Sequence, residues 1–194
     1  MKRLLQLLSQ SFYILTVFWS LLFYPMLVYA GAPLSADGTT NTKITVAPNG
    51  VPVVNIAPPS SGGVSHNKYR DYNVDALGLI LNNSKNDGEL TTLGGRIAAN
   101  PNVKNNSAEV IMNEVTSTNR TNMSGFTEVA GKGAAVIIAN PNGITCEGCG
   151  FINSNRTTLI TGRSNPDFNT FSISSYGDIE IRGGSLYYGY IYRR

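Results

Sequence analysis

The heptapeptide IAANPNV at residues 97–103 returns forty residues later as IIANPNG at residues 137–143. Five of the seven positions are identical, and in both copies an Asn-Pro-Asn triplet follows a short apolar run. Repeat architectures bury a core by stacking like units, so an echo of this kind favours a solenoid. With coils of about 20 residues, the two triplets are expected to lie two coils apart.

Short runs rich in Val, Ile and Thr, separated by Asn, Gly, Pro and Ser, fill the chain after residue 30. Phe171 and Ile173 alternate with serines, and Ile179 and Ile181 alternate with charged residues, a period that is typical of half-buried strands. Further strands are predicted at residues 44–46, 51–56, 77–81, 95–99, 108–115, 126–129, 134–139 and 157–161. The pattern predicts an all-β chain, for which an immunoglobulin-like sandwich is the alternative to the solenoid.

The first thirty residues have the layout of a secretory signal peptide. Lys2 and Arg3 precede an apolar stretch from about residue 12 to residue 29, and small residues follow it. Cleavage is predicted between Ala30 and Gly31. A membrane anchor is the alternative, since roughly 19 apolar residues can span a bilayer, but Pro25 interrupts the run and favours a cleaved signal.

Charge and residue spacing exclude several classes of function. The chain has 15 basic and 12 acidic residues, and loss of Lys2 and Arg3 with the signal peptide leaves a net charge of +1. The basic residues are scattered, which predicts no nucleic-acid partner. The acidic residues are spaced singly, and His66 is the one histidine, so we expect no catalytic pair, no metal site, no cofactor and no small-molecule ligand.

Cys146 and Cys149 lie three positions apart in the segment TCEGCG. In an exported chain such a pair more often forms a disulfide than a thiol site. A redox-active pair would need a helix start and a lowered thiolate pKa, and zinc would need two further ligands. We therefore expect a disulfide, and its loop is so short that it should stabilise the fold by less than the typical ~2–4 kcal/mol.

The segment GFTEVAGKGAAVIIANPNGITCEGCGFINSNRTTLITG at residues 125–162 closely resembles the secretion domain of two-partner secretion exoproteins. This family comprises filamentous haemagglutinins, ShlA-type haemolysins and contact-dependent inhibition toxins. Three earlier segments resemble the same domain in order: SHNKYRDYNV at 65–74, GLILNN at 78–83 and LGGRIAANPNVKNNSAEVIMNEV at 93–115. The similarity covers about residues 65–185, and the Cys146/Cys149 pair matches the haemolysin and inhibition-toxin branch.

The resemblance implies a right-handed parallel β-helix with an N-terminal β cap. On this interpretation residues 1–30 are the signal peptide, 31–64 the cap and linker, and 65–194 the β-helical secretion domain. Two secretion motifs are implied by position, and the family commonly has Leu where this chain has Val103. The implied motif residues are Asn100, Pro101, Asn102, Asn140, Pro141, Asn142, Gly143 and Ile144.

The same resemblance implies export by the Sec machinery and recognition in the periplasm by a dedicated partner. That partner would be an outer-membrane β-barrel transporter of the TpsB type with POTRA modules, and the protein would be secreted or held at the cell surface. Alternatives are a stand-alone surface adhesin or structural β-domain and, more remotely, a β-helical enzyme acting on polysaccharides. Because relatives continue further and residues 186–192 form an uncharged aromatic run that would expose strand edges, we also expect a truncated chain. The alternative is that these residues fold back as a cap on the last coil.

Overall fold

The computed structural model describes residues 34–164, 171–173, 178–182 and 189–192. Every regular element in these residues is a β-strand, which confirms the predicted all-β class. No helix among them is long and apolar enough to cross a membrane. The predicted signal peptide and its cleavage site between Ala30 and Gly31 lie outside the described residues, as do residues 186–188 of the aromatic run at 186–192.

Eighteen strands lie within the described ranges. They are β1 (Leu34–Ala36), β2 (Lys43–Val46), β3 (Pro52–Asn55), β4 (Val64–Tyr72), β5 (Leu79–Asn83), β6 (Glu89–Thr91), β7 (Gly95–Ile97), β8 (Val110–Val115), β9 (Thr121–Met123), β10 (Phe126–Gly131), β11 (Ala134–Ala139), β12 (Ile144–Glu147), β13 (Gly150–Ile152), β14 (Ser154–Ile160), β15 (Gly162–Ser164), β16 (Phe171–Ile173), β17 (Ile179–Arg182) and β18 (Gly189–Tyr192).

Three sheets carry most of these strands. Sheet A has the order β1-β4-β8-β11-β14-β18, sheet B the order β13-β10-β5-β3-β2, and sheet C the order β17-β12-β9. All neighbours in them are parallel except β1 with β4 and β2 with β3, which pair antiparallel at one edge of sheets A and B. From β3 to β17 the chain visits the sheets in the rotation B, A, C, and we call one passage a circuit. In the first circuit no strand of sheet C lies between β4 and β5, and Val74 makes only an isolated parallel bridge with Met123 of β9.

Strand pairing gives the length of each circuit. Val110 pairs with Ala135 and Thr121 pairs with Ile144, so these circuits advance by 25 and 23 residues. Leu79 pairs with Thr127, an advance of 48 residues, because the antiparallel hairpin β6–β7 is inserted between them. A second antiparallel hairpin, β15–β16, follows β14.

The main core lies between the sheets. Alternation along each strand sends one set of side chains inward, as with Leu79 and Leu81 of β5, while Ile80 points to the other side of sheet B. There Ile80 forms a second apolar cluster with Ile97 and the partly buried Leu93 of the inserted hairpin. The hairpin therefore covers the outer face of sheet B.

β4 is the longest strand, and the sequence pattern does not predict it. Its inward positions include Ser65, Asn67 and Tyr69, all fully buried. Because two of these are polar, the sequence does not show the alternation of apolar and polar residues that identifies a half-buried strand. Parallel pairing of β4 with β8 fixes the strand, and buried hydrogen bonds satisfy its polar groups, as when Asn67 Nδ2 donates to the Met112 carbonyl at 3.2 Å. His66 lies within this strand.

Candidate functional site

The first Asn-Pro-Asn triplet forms a compact turn after β7. The Asn102 N–H donates to Asn100 Oδ1 at 2.9 Å, and the Val103 N–H donates to the Asn100 carbonyl at 3.2 Å. The first bond is an Asx turn and the second closes a β-turn, with Pro101 supplying the fixed φ at the second position. Asn100 is buried, whereas Pro101 is exposed and Asn102 half-buried.

The second triplet forms the same turn after β11. The Asn142 N–H donates to Asn140 Oδ1 at 2.9 Å, and the Gly143 N–H donates to the Asn140 carbonyl at 3.1 Å. Gly143 has φ +105°, which favours glycine, while Val103 in the first turn has no such backbone conformation. The difference explains why one copy can end in valine and the other ends in glycine.

The leading asparagine of each triplet uses both ends of its amide. Asn100 Nδ2 donates to the carbonyls of Ile56 at 3.1 Å and Asn82 at 2.8 Å. Asn140 Nδ2 donates to the Asn119 carbonyl at 3.0 Å and to Thr121 Oγ1 at 2.9 Å. Aspartate could form the turn but has no donor for these oxygens, so the buried contacts require asparagine.

The closing asparagine of each triplet reaches an earlier segment of the chain. Asn102 Nδ2 donates to the carbonyls of Asn41 at 2.9 Å and Ile56 at 3.0 Å. Asn142 Nδ2 donates to the Ser117 carbonyl at 2.9 Å. Each triplet is therefore both a turn and a link to a neighbouring circuit.

The two triplets lie at different corners of the molecule. Asn100 bonds to residues at the ends of β3 and β5 in sheet B, whereas Asn140 follows β11 in sheet A. Ala139 pairs with Glu114, and Glu114 pairs with Lys68, so the position two circuits before Asn140 falls near residue 69. The expectation that the triplets lie two coils apart is wrong, because circuits exceed twenty residues and the inserted hairpin shifts the count.

Arg120 joins three circuits at the second triplet. Its Nε donates to Thr145 Oγ1 at 3.0 Å, and its guanidinium pairs with the Asp178 carboxylate. A Cβ on Gly143 would meet this guanidinium and would lie 2.9 Å from the Asp178 carbonyl oxygen. Sequence reasoning missed Arg120 because Asp178 is 58 positions away and no local pattern connects them.

Cys146 and Cys149 form the expected disulfide, with Cα atoms 5.3 Å apart. Both side chains are buried in the main core, and the bridge spans the corner from β12 in sheet C to β13 in sheet B. The sulfur atoms are therefore enclosed by apolar neighbours and are not at a surface where a thiol reaction could occur.

Titratable side chains do not converge on one place in the described part of the chain. No group of three or more His, Cys, Asp and Glu residues there could hold a metal ion. His66 Nε2 lies 2.8 Å from Glu114 Oε2 on the outer face of sheet A. Glu109 pairs with Lys132 on the exposed surface, so Glu109 and Glu114 have different partners.

Comparison with known proteins gives a consistent result. The family model described as "TPS secretion domain" matches residues 32–188. The fold is similar to that in the crystal structure of a filamentous hemagglutinin secretion domain, with a TM-score of 0.71 and 42% sequence identity between the two chains. The match covers 78% of this chain and 50% of that one.

Several curated proteins are similar over most of this chain. A 16S rRNA endonuclease CdiA from Enterobacter cloacae is 56% identical over 140 residues, which cover 72% of this chain and 4% of that protein. A tRNA nuclease CdiA from Escherichia coli is 49% identical over 84% of this chain and 5% of its own length. A hemolysin from Serratia marcescens is 42% identical over 69% of this chain and 8% of its own length. The chain thus spans 4–8% of the length of these relatives.

Proposed function

Because the chain belongs to the TPS secretion-domain family, we propose that it is the N-terminal secretion domain of a larger exported adhesin, haemolysin or inhibition toxin. It leaves the cytoplasm by the Sec route. In the periplasm it is recognised by an outer-membrane β-barrel transporter of the TpsB type, through POTRA modules, and is secreted through that transporter to the surface or the medium. The role is one of recognition, without catalysis.

The architecture proposed with this role is a right-handed parallel β-helix. The rotation of the chain through three parallel sheets supports it, as does the likeness to the filamentous hemagglutinin secretion domain. Residues 31–64 act as N-terminal cap and linker, because β1 and β2 pair antiparallel at one edge of sheets A and B. Residues 65–194 form the β-helical domain, and residues 1–30 are the signal peptide.

Sequential circuits suit a protein that is exported unfolded. Each circuit contacts mainly the circuits before and after it, so folding can begin at one end and propagate. A chain that leaves the transporter N-terminus first could add circuits outside the cell, and this folding would help to draw the remainder through without ATP. The disulfide encloses only a few residues and adds no long covalent loop to thread.

The observation that carries the proposal is the repeated turn. Both triplets form the same two turn hydrogen bonds, and both place a half-buried second asparagine at a corner. We assign the secretion motif to Asn100, Pro101 and Asn102 at one corner, and to Asn140, Pro141, Asn142, Gly143 and Ile144 at the other.

The test is secretion of an Asn140→Asp variant by cells that co-express a transporter of this family. Asn140 is buried and donates two hydrogen bonds, so the substitution also weakens the fold. Asn83→Asp is the matched control, because Asn83 is equally buried and its Nδ2 donates to the carbonyls of Ala108 at 2.9 Å and Lys132 at 2.8 Å.

We expect the Asn140 variant to accumulate in the periplasm and the Asn83 variant to be secreted in proportion to its remaining stability. Thermal unfolding of both proteins provides the normalisation. If the two variants lose secretion equally at equal loss of stability, Asn140 has only a structural role and the assignment of the second motif is wrong.

A further inference from the structure

The disulfide between Cys146 and Cys149 lies under a strand that comes later in the chain. Cys146 is on β12, the middle strand of sheet C, where it pairs with Met123 of β9 on one side and with Ile181 of β17 on the other. The Cys146 side chain is 0% exposed and that of Cys149 is 2% exposed. The bridge is therefore fully enclosed when the circuit that contains β17 has folded onto β12.

The corner between the two cysteines is bonded to the same later strand. The Gly148 N–H donates to the Arg182 carbonyl at 2.8 Å, and Ile179 of β17 packs against the core cluster that contains both cysteines. Glu147 and Gly148 are exposed, but the sulfur atoms lie on the inner side of this corner among apolar residues. An approach to the sulfur atoms therefore requires the circuits to separate.

Formation of the bridge proceeds through a larger intermediate. The thiolate of one cysteine attacks the disulfide of an oxidant, so that one oxidant sulfur leaves and the other stays bonded to the chain as a mixed disulfide. The second cysteine attacks this mixed disulfide, which closes the bridge and releases the remaining oxidant sulfur. The two cysteines lose two electrons, and the oxidant's disulfide becomes two thiols that carry both protons.

The folded core has no room for the mixed disulfide. In that intermediate the oxidant is covalently bonded to a chain sulfur, and the rest of the oxidant must lie beside it. Protein interiors are as densely packed as organic crystals, and a charged thiolate is costly among apolar side chains. In the unfolded chain, by contrast, only Glu147 and Gly148 separate the cysteines, so the pair can close without any other part of the fold.

We infer that Cys146 and Cys149 are the substrate of a dithiol oxidase, an enzyme that carries a reactive disulfide, and that it acts on the unfolded chain before the circuits close. The compartment of this step rests on the proposed function, which places an unfolded chain in the periplasm. Oxidation there precedes entry into the transporter, so the transporter receives a chain that is already bridged. After folding, the circuits shield the bridge from reductants outside the cell.

The first experiment measures how fast oxidised glutathione, a small disulfide, oxidises the reduced chain. The exported chain is reduced and unfolded in urea; one half is refolded with the reductant present and the other half is kept in urea. After removal of the reductant, both halves receive oxidised glutathione, and alkylation with a maleimide followed by mass spectrometry counts the free thiols. We expect the folded half to react at least about 100-fold more slowly. Equal rates would overturn the inference.

Two variants test whether β17 is the strand that encloses the bridge. Ile179→Ala weakens the packing of β17, and Leu34→Ala removes a similarly placed side chain of β1 that packs against the same core. We expect Ile179→Ala to speed oxidation of the folded chain about tenfold, and Leu34→Ala to change it by less than about twofold at equal loss of stability. Equal acceleration in both variants would overturn the enclosure by β17.

The second experiment locates the step in the cell. Chain made in a short pulse by cells without a transporter is collected from the periplasm, denatured in acid and treated with a maleimide. We expect no free thiols, and two free thiols when the cell's periplasmic dithiol oxidase is deleted. Free thiols in the periplasmic chain together with a bridge in the secreted chain would overturn the inference, even if the reduced chain fails to refold in the first experiment. If bridged chain is not secreted by cells that have a transporter, the proposed function fails and the order of oxidation and folding stands.

Discussion

Asparagine side chains tie the circuits of this protein together, because each carries a donor and an acceptor at the end of a short stem. Asn100 and Asn140 accept a bond that shapes their own turn and donate to oxygens of other segments. Asn83, away from any triplet, also uses both ends of its amide: it accepts from the Ala108 N–H at 2.7 Å and donates to the carbonyls of Ala108 and Lys132. Abundant asparagine is thus a structural requirement of corners that must be linked to their neighbours.

Two buried tyrosines allow a test of how much one such bond contributes. Tyr69 donates its hydroxyl to Asn113 Oδ1 at 3.0 Å, whereas the buried Tyr72 hydroxyl has no hydrogen-bond partner. Tyr69→Phe leaves the Asn113 oxygen unsatisfied, and we expect a loss of about 1–3 kcal/mol in the free energy of unfolding. Tyr72→Phe should change it by less than about 0.5 kcal/mol. An equal loss in both variants, measured by denaturant unfolding, would show that Tyr72 has a partner.

The same residues predict the response to alkaline pH. Burial raises the pKa of Tyr69, and the neighbouring Tyr72 raises it further. Burial also raises the pKa of Tyr72. Both phenols therefore stabilise the folded state fully below the unfolded pKa of about 10 and lose this effect as the pH rises above it. In a pH titration of stability, the double Phe variant should lose less than the original chain above that pH.

The turns could be predicted from the residues because their chemistry is local. Asn-Pro-Asn specifies an Asx turn wherever it occurs, and Gly143 indicates the positive φ that it has. Arg120 could not be predicted, since its partners Thr145 and Asp178 come from the next two circuits. Contacts between circuits depend on a register that no single segment contains.

At the scale of elements, one buried carboxylate binds the turn of the inserted hairpin β6–β7. Glu128 on β10 accepts the Thr92 N–H at 2.7 Å and the Leu93 N–H at 2.8 Å. Glu128→Gln keeps the shape but turns an N–H₂ group toward one of these donors. We expect a loss of about 1–3 kcal/mol and faster proteolysis near residues 86–96.

Glu109→Gln is the control for that substitution. Glu109 is exposed and pairs with Lys132 at the surface, so its loss should change stability by at most about 1 kcal/mol. Similar effects of the two substitutions would mean that the hairpin does not depend on the Glu128 carboxylate.

The disulfide is a second element whose contribution can be measured. A loop this short gives about 2 kcal/mol by chain entropy, below most natural bridges. Cys146→Ala with Cys149→Ala should therefore still unfold cooperatively, at lower denaturant concentration. Mass spectrometry of the unreduced, exported protein should find no free thiols. Free thiols would refute the bridge, and an unfolded double variant would refute its minor role.

Strands could be predicted where apolar and polar residues alternate or apolar residues dominate, and could not be predicted where polar side chains face the core. Residues 134–139 were predicted as a strand with the bounds that the structure gives β11. β4 was not predicted, because Ser65 and Asn67 occupy interior positions that hydrophobic patterning assigns to apolar residues. The short strands β9, β12 and β13 were also missed, since three or four residues give too short a pattern for periodicity.

At the scale of the molecule, backbone ladders and amide links hold the fold more than charge does. Three of the four ion pairs within the described ranges lie on exposed or half-exposed side chains. Such pairs contribute little and are screened by salt. We expect the unfolding temperature to change by less than about 4 °C between low and high salt. A larger change, measured by calorimetry, would show that charge matters to the fold.

The rotation through three sheets also determines how the protein would respond to mechanical force. Every parallel strand is bonded to strands of the neighbouring circuits, so tension on one end of the chain acts first on the terminal circuit and peels it away. A circuit of 21–25 residues, as between Ala135 and Arg156 or between Val110 and Ala135, would extend by roughly 70–90 Å when released. The circuit that contains the hairpin β6–β7 would give a step nearly twice as long. Drawn through a pore, the protein would yield in discrete increments, each resisted by one turn of the chain.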